Sequence, residues 1–70
     1  VKREDAMAGR EKVLAVIDSW EPRERRRRWS LWVALLEGAR TGLERDNPDS
    51  PQLPRIVAVL EALGEVYDML

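Results

Sequence analysis

The sequence predicts an all-α domain of three helices, and three observations carry that reading. Prolines and turn-forming residues divide the chain into three stretches. Within the second and third stretches the apolar residues recur at steps of three and four, the period of one helix face. Nowhere do β-branched residues alternate between turn signals, as a half-buried strand requires.

The first stretch, residues 3 to 20, carries Val13, Val16, Ile17 and Trp20 at helical spacing. Its opening turns are polar, and Gly9 weakens them. Pro22 stands where a first helical turn tolerates proline, so the second helix is expected from residue 22 to about 45 after a connection of a residue or two. The run RDNPDSPQLP is a loop of turn-formers. Ser50 can cap a third helix over residues 51 to 70, with Pro51 at its first position and Pro54 still within tolerance.

Seventy residues make one domain at most, and a chain of this size buries only about 60% of its unfolded surface. Such a core is marginal and calls for a further stabilising device. The chain has neither cysteine nor histidine, so disulfides and the usual zinc ligand sets are out of reach. Oligomerisation is the device that remains. The longest apolar run, Leu31 to Leu36, falls far short of a membrane span of about 20 residues. No signal-peptide core stands at the N-terminus, so a cytoplasmic protein is expected. The chain starts at Val1 and ends at Leu70 within a helical pattern, which also admits a piece of a longer protein.

Two seams follow from the spacing. Trp29, Trp32, Leu36, Ala39 and Leu43 form one; Leu53, Ile56, Leu60, Leu63, Tyr67 and Leu70 form the other. Folded back across the proline loop, the two helices make a long antiparallel hairpin whose facing residues have numbers adding to about 96. That register sets Leu36 against Leu60 and Trp32 against Gly64, and it brings Arg25 and Arg28 near Asp68 and Glu65.

The stretch EPRERRRRWSLW is the most unusual in the chain. Residues 1 to 20 balance at four basic against four acidic, residues 21 to 45 carry seven against four, and residues 46 to 70 carry one against five. The arginines therefore complement the acidic third helix, and helical phase divides them. Arg25 lies one turn from Trp29 and Arg28 one turn from Trp32, so each guanidinium can lie on an indole. Arg23, Arg26 and Arg27 point away and are the candidates for an acidic partner. Five arginines at the positive end of a helix dipole are locally unfavourable, and the end of the first helix together with Glu21 and Glu24 is expected to offset them. Arginine outnumbers lysine ten to two, a bias that genomic base composition alone can produce.

Two further surfaces point to self-association. On the second helix Leu31, Leu35, Gly38 and Gly42 step four, three, four along a separate ridge. Glycine costs about 1 kcal/mol against alanine inside a helix, so two on one ridge suggest close approach by another helix, unless Gly42 simply marks the helix end. The third helix is apolar around about half its circumference, wider than one neighbour covers; the first helix, apolar over only two turns, is one candidate for the rest and a symmetry mate the more economical one. Val59, Leu63, Val66 and Leu70 are accordingly assigned, with the glycine ridge, to an oligomer interface.

Catalysis is not expected. Ser19, Ser30 and Ser50 have no base in any motif, no glycine-rich loop follows a strand, and no paired metal ligands recur. Glu61 and Glu65 share a face but have the look of an exposed acidic stripe. No cofactor is implied.

The segment PRIVAVLEALGEVY, residues 54 to 67, resembles the first helix of a tetratricopeptide repeat through Leu60, Leu63, Gly64 and Tyr67, with Pro54 where a preceding repeat would end. It covers about a fifth of the chain, and the second helix of the motif is missing, so the likeness is read as one of helix packing. A helix-turn-helix fits poorly, because its turn would have to be the Glu21 and Pro22 corner and its reading helix the tryptophan-rich core helix.

The function expected is a non-enzymatic homo-oligomerisation or protein-interaction module of regulatory type, a homodimer in first place. A small nucleic-acid binder using Arg23, Arg26 and Arg27 is the second reading, set back by a net charge of −1 and a pI near 5.4. A docking or adaptor fragment of a larger protein is the third. No membrane partner is expected.

Overall fold

The computed structural model describes the backbone of residues 2–70 and the side chains from Gly9 onward. Three helices follow one another: α1 (Lys2–Asp18), α2 (Arg25–Asp46) and α3 (Gln52–Val66). A 3-10 turn over Pro22–Glu24 leads into α2, and another over Tyr67–Met69 ends the chain's regular structure. The described residues contain no strand.

The boundaries follow from local chemistry. α1 tightens at its end, where the amides of Ser19 and Trp20 donate to the carbonyls of Val16 and Ile17 at 3.1 and 3.0 Å. Glu21, the residue before Pro22, is held extended at φ −57° and ψ 133°, out of the helical region that a following proline ring disfavours. Pro22 then sets φ for the turn that starts the next helix. α2 passes through Gly38 and Gly42 without a break and ends where Asn47 swings to φ −153°, its amide donating to Leu43 at 2.8 Å. Gly42 is therefore not a helix stop; Pro48, which cannot donate, follows the true one.

Ser50 is buried, and its Oγ accepts from the amide of Gln52 at 3.2 Å. That contact satisfies one of the four amides left orphaned at the start of α3. Pro51 and Pro54 both fall within this first turn, where a missing N–H costs no hydrogen bond.

α3 is the central element. α2 folds back along it as the expected hairpin, and α1 packs along it as well. Trp29, near the start of α2, meets Leu63 and Tyr67 near the end of α3, so the hairpin is antiparallel. Trp29 and Tyr67 have numbers adding to 96, the register expected, and their rings lie 4.6 Å apart.

One other part of the expected packing is corrected. Trp32 does not face Gly64. Gly64 is exposed, with nothing within 4 Å of where a Cβ would stand, while Trp32 turns toward α1 and meets Trp20 edge-on at 5.8 Å.

The buried apolar side chains come from α1 and α3, namely Val13, Ile17, Ala62, Leu63 and Val66; α2 contributes half-buried Trp29, Trp32, Val33 and Leu36 around them. Two turns of α1 thus cover the part of α3 that seemed to need a second molecule. Ala62 is buried in the same cluster as Val13 and Ile17 of α1.

Candidate functional site

The oligomer interface expected from the sequence separates into two halves. Leu63 and Val66 have no exposed surface, and Val59 and Leu70 are half-buried against the same core. Leu63 and Val66 are interior residues of the single chain, which corrects their assignment to an interface, whereas Val59 and Leu70 keep part of their surface exposed. The wide apolar stripe of α3 is wide because it meets two helices.

The other half stands open. At 100° per residue, Leu31, Leu35, Gly38 and Gly42 fall within an arc of about 60° on α2. Leu31 is 55% exposed and Leu35 is 74% exposed, the most open large apolar side chain described. Gly38 is exposed and Gly42 half-buried, and a Cβ added to either would meet nothing within 4 Å. The close approach those glycines would permit is therefore not made by another helix of the same chain. Their cost to the helix, about 1 kcal/mol each, has no return within the monomer.

The arginines lie at one end of this ridge. Arg25 is tied to the end of α1: its Nη2 donates to the Asp18 carbonyl at 3.4 Å and lies 3.9 Å from the Asp18 carboxylate. The terminal carbonyls of α1 thus offset part of the charge crowded at the start of α2, as expected. Arg28 lies over the ring of Trp20 at 5.9 Å, at the outer limit of a cation–π contact.

The structure therefore moves both contacts from their expected partners. Arg28 reaches Trp20 rather than Trp32, Trp29 gives its face to Tyr67, and neither Arg25 nor Arg28 pairs with Asp68 or Glu65 among the described residues. The tight corner at Pro22 holds the end of α1 beside these arginines.

Arg23, Arg26 and Arg27 are exposed as expected. Arg27 bonds Glu24 one turn earlier at 2.8 Å, while Arg23 and Arg26 have no acidic partner among the described residues. At the other end of α2, Arg40 bridges Glu37 and Glu44, and Arg45 holds its neighbour Asp46 at 2.9 Å, a contact that favours the charged guanidinium further.

No known protein family, curated protein or solved structure matches the chain. The likeness of residues 54 to 67 to a tetratricopeptide helix accordingly carries no function here.

A feature the sequence reading missed is a shallow apolar cleft of about 190 Å³ lined by Gly9, Lys12, Val13, Val16, Trp32 and Val59. It is smaller than the roughly 300 to 1,000 Å³ of typical ligand pockets. Among the described residues its one polar lining side chain is Lys12. Of its lining only Trp32 carries a sequence signal, as a large ring on α2 next to residues of α1 and α3. Among the described residues no helix is long and apolar enough to cross a membrane.

Proposed function

We propose that this chain is a non-enzymatic interaction module that binds protein, in first place a second copy of itself, through the outer face of α2. The observation that carries this reading is the ridge on which Leu31 and Leu35 stand in solvent beside two glycines that the monomer does not use. Exposed leucines occur singly on many surfaces, but two aligned with unused glycines make a surface shaped for another helix. A small core completed by assembly fits the size of the chain. The working compartment in this reading is the cytoplasm, and the role is regulatory, exerted through who is bound rather than through chemistry.

Light scattering during size exclusion tests the proposal, across a concentration series from about 1 to 500 μM. Mass rising toward that of a dimer supports it, since mass action drives association with concentration. A constant monomer mass overturns self-association and favours the docking or adaptor reading, in which the same ridge meets a different protein.

Arg23 and Arg26, exposed and without acidic partners among the described residues, support the nucleic-acid reading as the runner-up. Fluorescence anisotropy with a labelled duplex and a labelled single strand decides it. Binding that falls with salt by a log-log slope of about 0.9 per phosphate, and flattens in the triple alanine variant of Arg23, Arg26 and Arg27, would replace the first proposal.

A further inference from the structure

We infer that two copies of this chain dock antiparallel along their α2 helices, with Leu35 of each seated over Gly38 of the other and Leu31 over Gly42. This inference rests on the self-association proposed above and adds the partner's orientation and register.

The 4-3-4 spacing of the ridge is that of alternating seam positions in a helix pair. In an antiparallel pair such positions meet in layers of opposite kind, so residue numbers across the interface add to a constant. With the two-fold axis passing between Leu35 and Gly38, that constant is about 73, and every leucine of the ridge then faces a glycine of its partner. A large side chain over an absent one permits close backbone approach without overpacking. Gly9 and Gly64 are also open. What sets Gly38 and Gly42 apart is their alignment with two exposed leucines at the spacing this pairing needs.

Charge selects the direction. The entry to α2 carries Arg23, Arg25, Arg26, Arg27 and Arg28, whereas the stretch ERDNPD at residues 44 to 49 holds three acidic groups against one basic. Parallel docking would set the arginine clusters of the two copies side by side. Antiparallel docking sets each against the acidic end of its partner: Arg28 meets Asp46 on one flank, and on the other Arg27 meets Arg45, each already paired within its own chain to Glu24 and Asp46. It also brings the positive end of each helix dipole beside the negative end of the other. Like charges in contact are disfavoured across an interface, and the parallel arrangement gathers ten arginines at one end where the antiparallel one opposes a single like pair, so the antiparallel direction is favoured.

The test uses the lack of cysteine, which makes any introduced thiol unique. Ser30→Cys and Glu44→Cys place spin labels on exposed positions turned away from the ridge. The two sites are separated by roughly 20 Å along the helix at 1.5 Å per residue. In the antiparallel pair a mixture of the two labelled chains gives a shorter interspin distance than either chain with itself; a parallel pair gives the reverse order.

The second arm replaces Gly38 and Gly42 together by alanine. This should raise the melting temperature of the dilute monomer, since alanine is the better helix former. It should also weaken self-association roughly tenfold or more, because the added methyl groups fill the space the partner's leucines occupy.

A dimer with the mixed distance shorter and weaker association after the double alanine change supports the inference. A dimer with like distances shorter, or one indifferent to the glycines, overturns this docking and leaves the self-association proposal standing. A chain that stays monomeric overturns both.

Discussion

The indole N–H of Trp29 donates to the main-chain carbonyl of Leu63 at 2.8 Å, joining α2 to the residue at the centre of the core. Leu63 is completely buried, so the bond fixes the height of α2 along α3 at a place where nothing can shift. The ring of Tyr67 one turn later closes the other side of the indole. Trp29→Phe keeps an aromatic ring and removes the donor, and should cost about 1 kcal/mol. Trp29→Ala loses ring contact as well and should cost about 3 kcal/mol. Urea unfolding followed by circular dichroism at one fixed, low protein concentration reads both; a phenylalanine variant as stable as the parent would mean the bond contributes nothing.

Gly64 gives a test of opposite sign. Because it is exposed and opens onto empty space, Gly64→Ala should stabilise α3 by about 1 kcal/mol through helix propensity alone. For a domain of this size that is a rise of roughly 4 to 8 °C in melting temperature. A fall would place a neighbour over Gly64 after all.

The arginines should separate by what they touch. Arg25, partly buried against the end of α1, should cost about 1 kcal/mol when replaced by alanine, since packing of its stem is lost with its charge. Replacing Arg23, Arg26 and Arg27 together should change stability by no more than about 0.5 kcal/mol. The exposed pair of Arg27 with Glu24 is worth little, and relief of positive charge at a helix N-terminus works against its loss. Thermal melts of the two variants side by side check the order; a triple variant less stable than Arg25→Ala contradicts it.

Ser50→Ala removes the acceptor for the Gln52 amide and leaves that donor inside a partly buried turn. The expected cost is about 1 kcal/mol, with Ser50→Asp retaining most of the stability because a carboxylate caps equally well. Helix content and melting temperature measured together distinguish loss of the cap from general loosening; an alanine variant indistinguishable from the parent counts against the cap.

The three helices were legible because each boundary has a local cause: Pro22 after Glu21, Asn47 with Pro48, Ser50 with Pro51. The hairpin and its register at Trp29 and Tyr67 were legible from spacing. The path of α1 was not. A stripe on α3 records that something covers it but not whether that is α1 or a second molecule, and Ala62, buried in one cluster with residues of α1, carries no periodic signal of its own. The partners of Arg25 and Arg28 were missed for the same reason, since both depend on where α1 ends in space. The ridge of Leu31 and Leu35 was legible because it lies on α2 alone, where phase suffices.

Sedimentation velocity on the parent chain and on Leu35→Glu tests the central claim most directly. Leu35 is among the most exposed residues of the ridge and touches none of the core, so the variant should fold with unchanged helix content. The parent's sedimentation coefficient should rise with concentration toward that of a dimer, and the variant should stay monomeric throughout, because a buried unpaired carboxylate in the seam is strongly unfavourable. A parent that sediments as a monomer up to several hundred micromolar, or a variant that associates as the parent does, would contradict it.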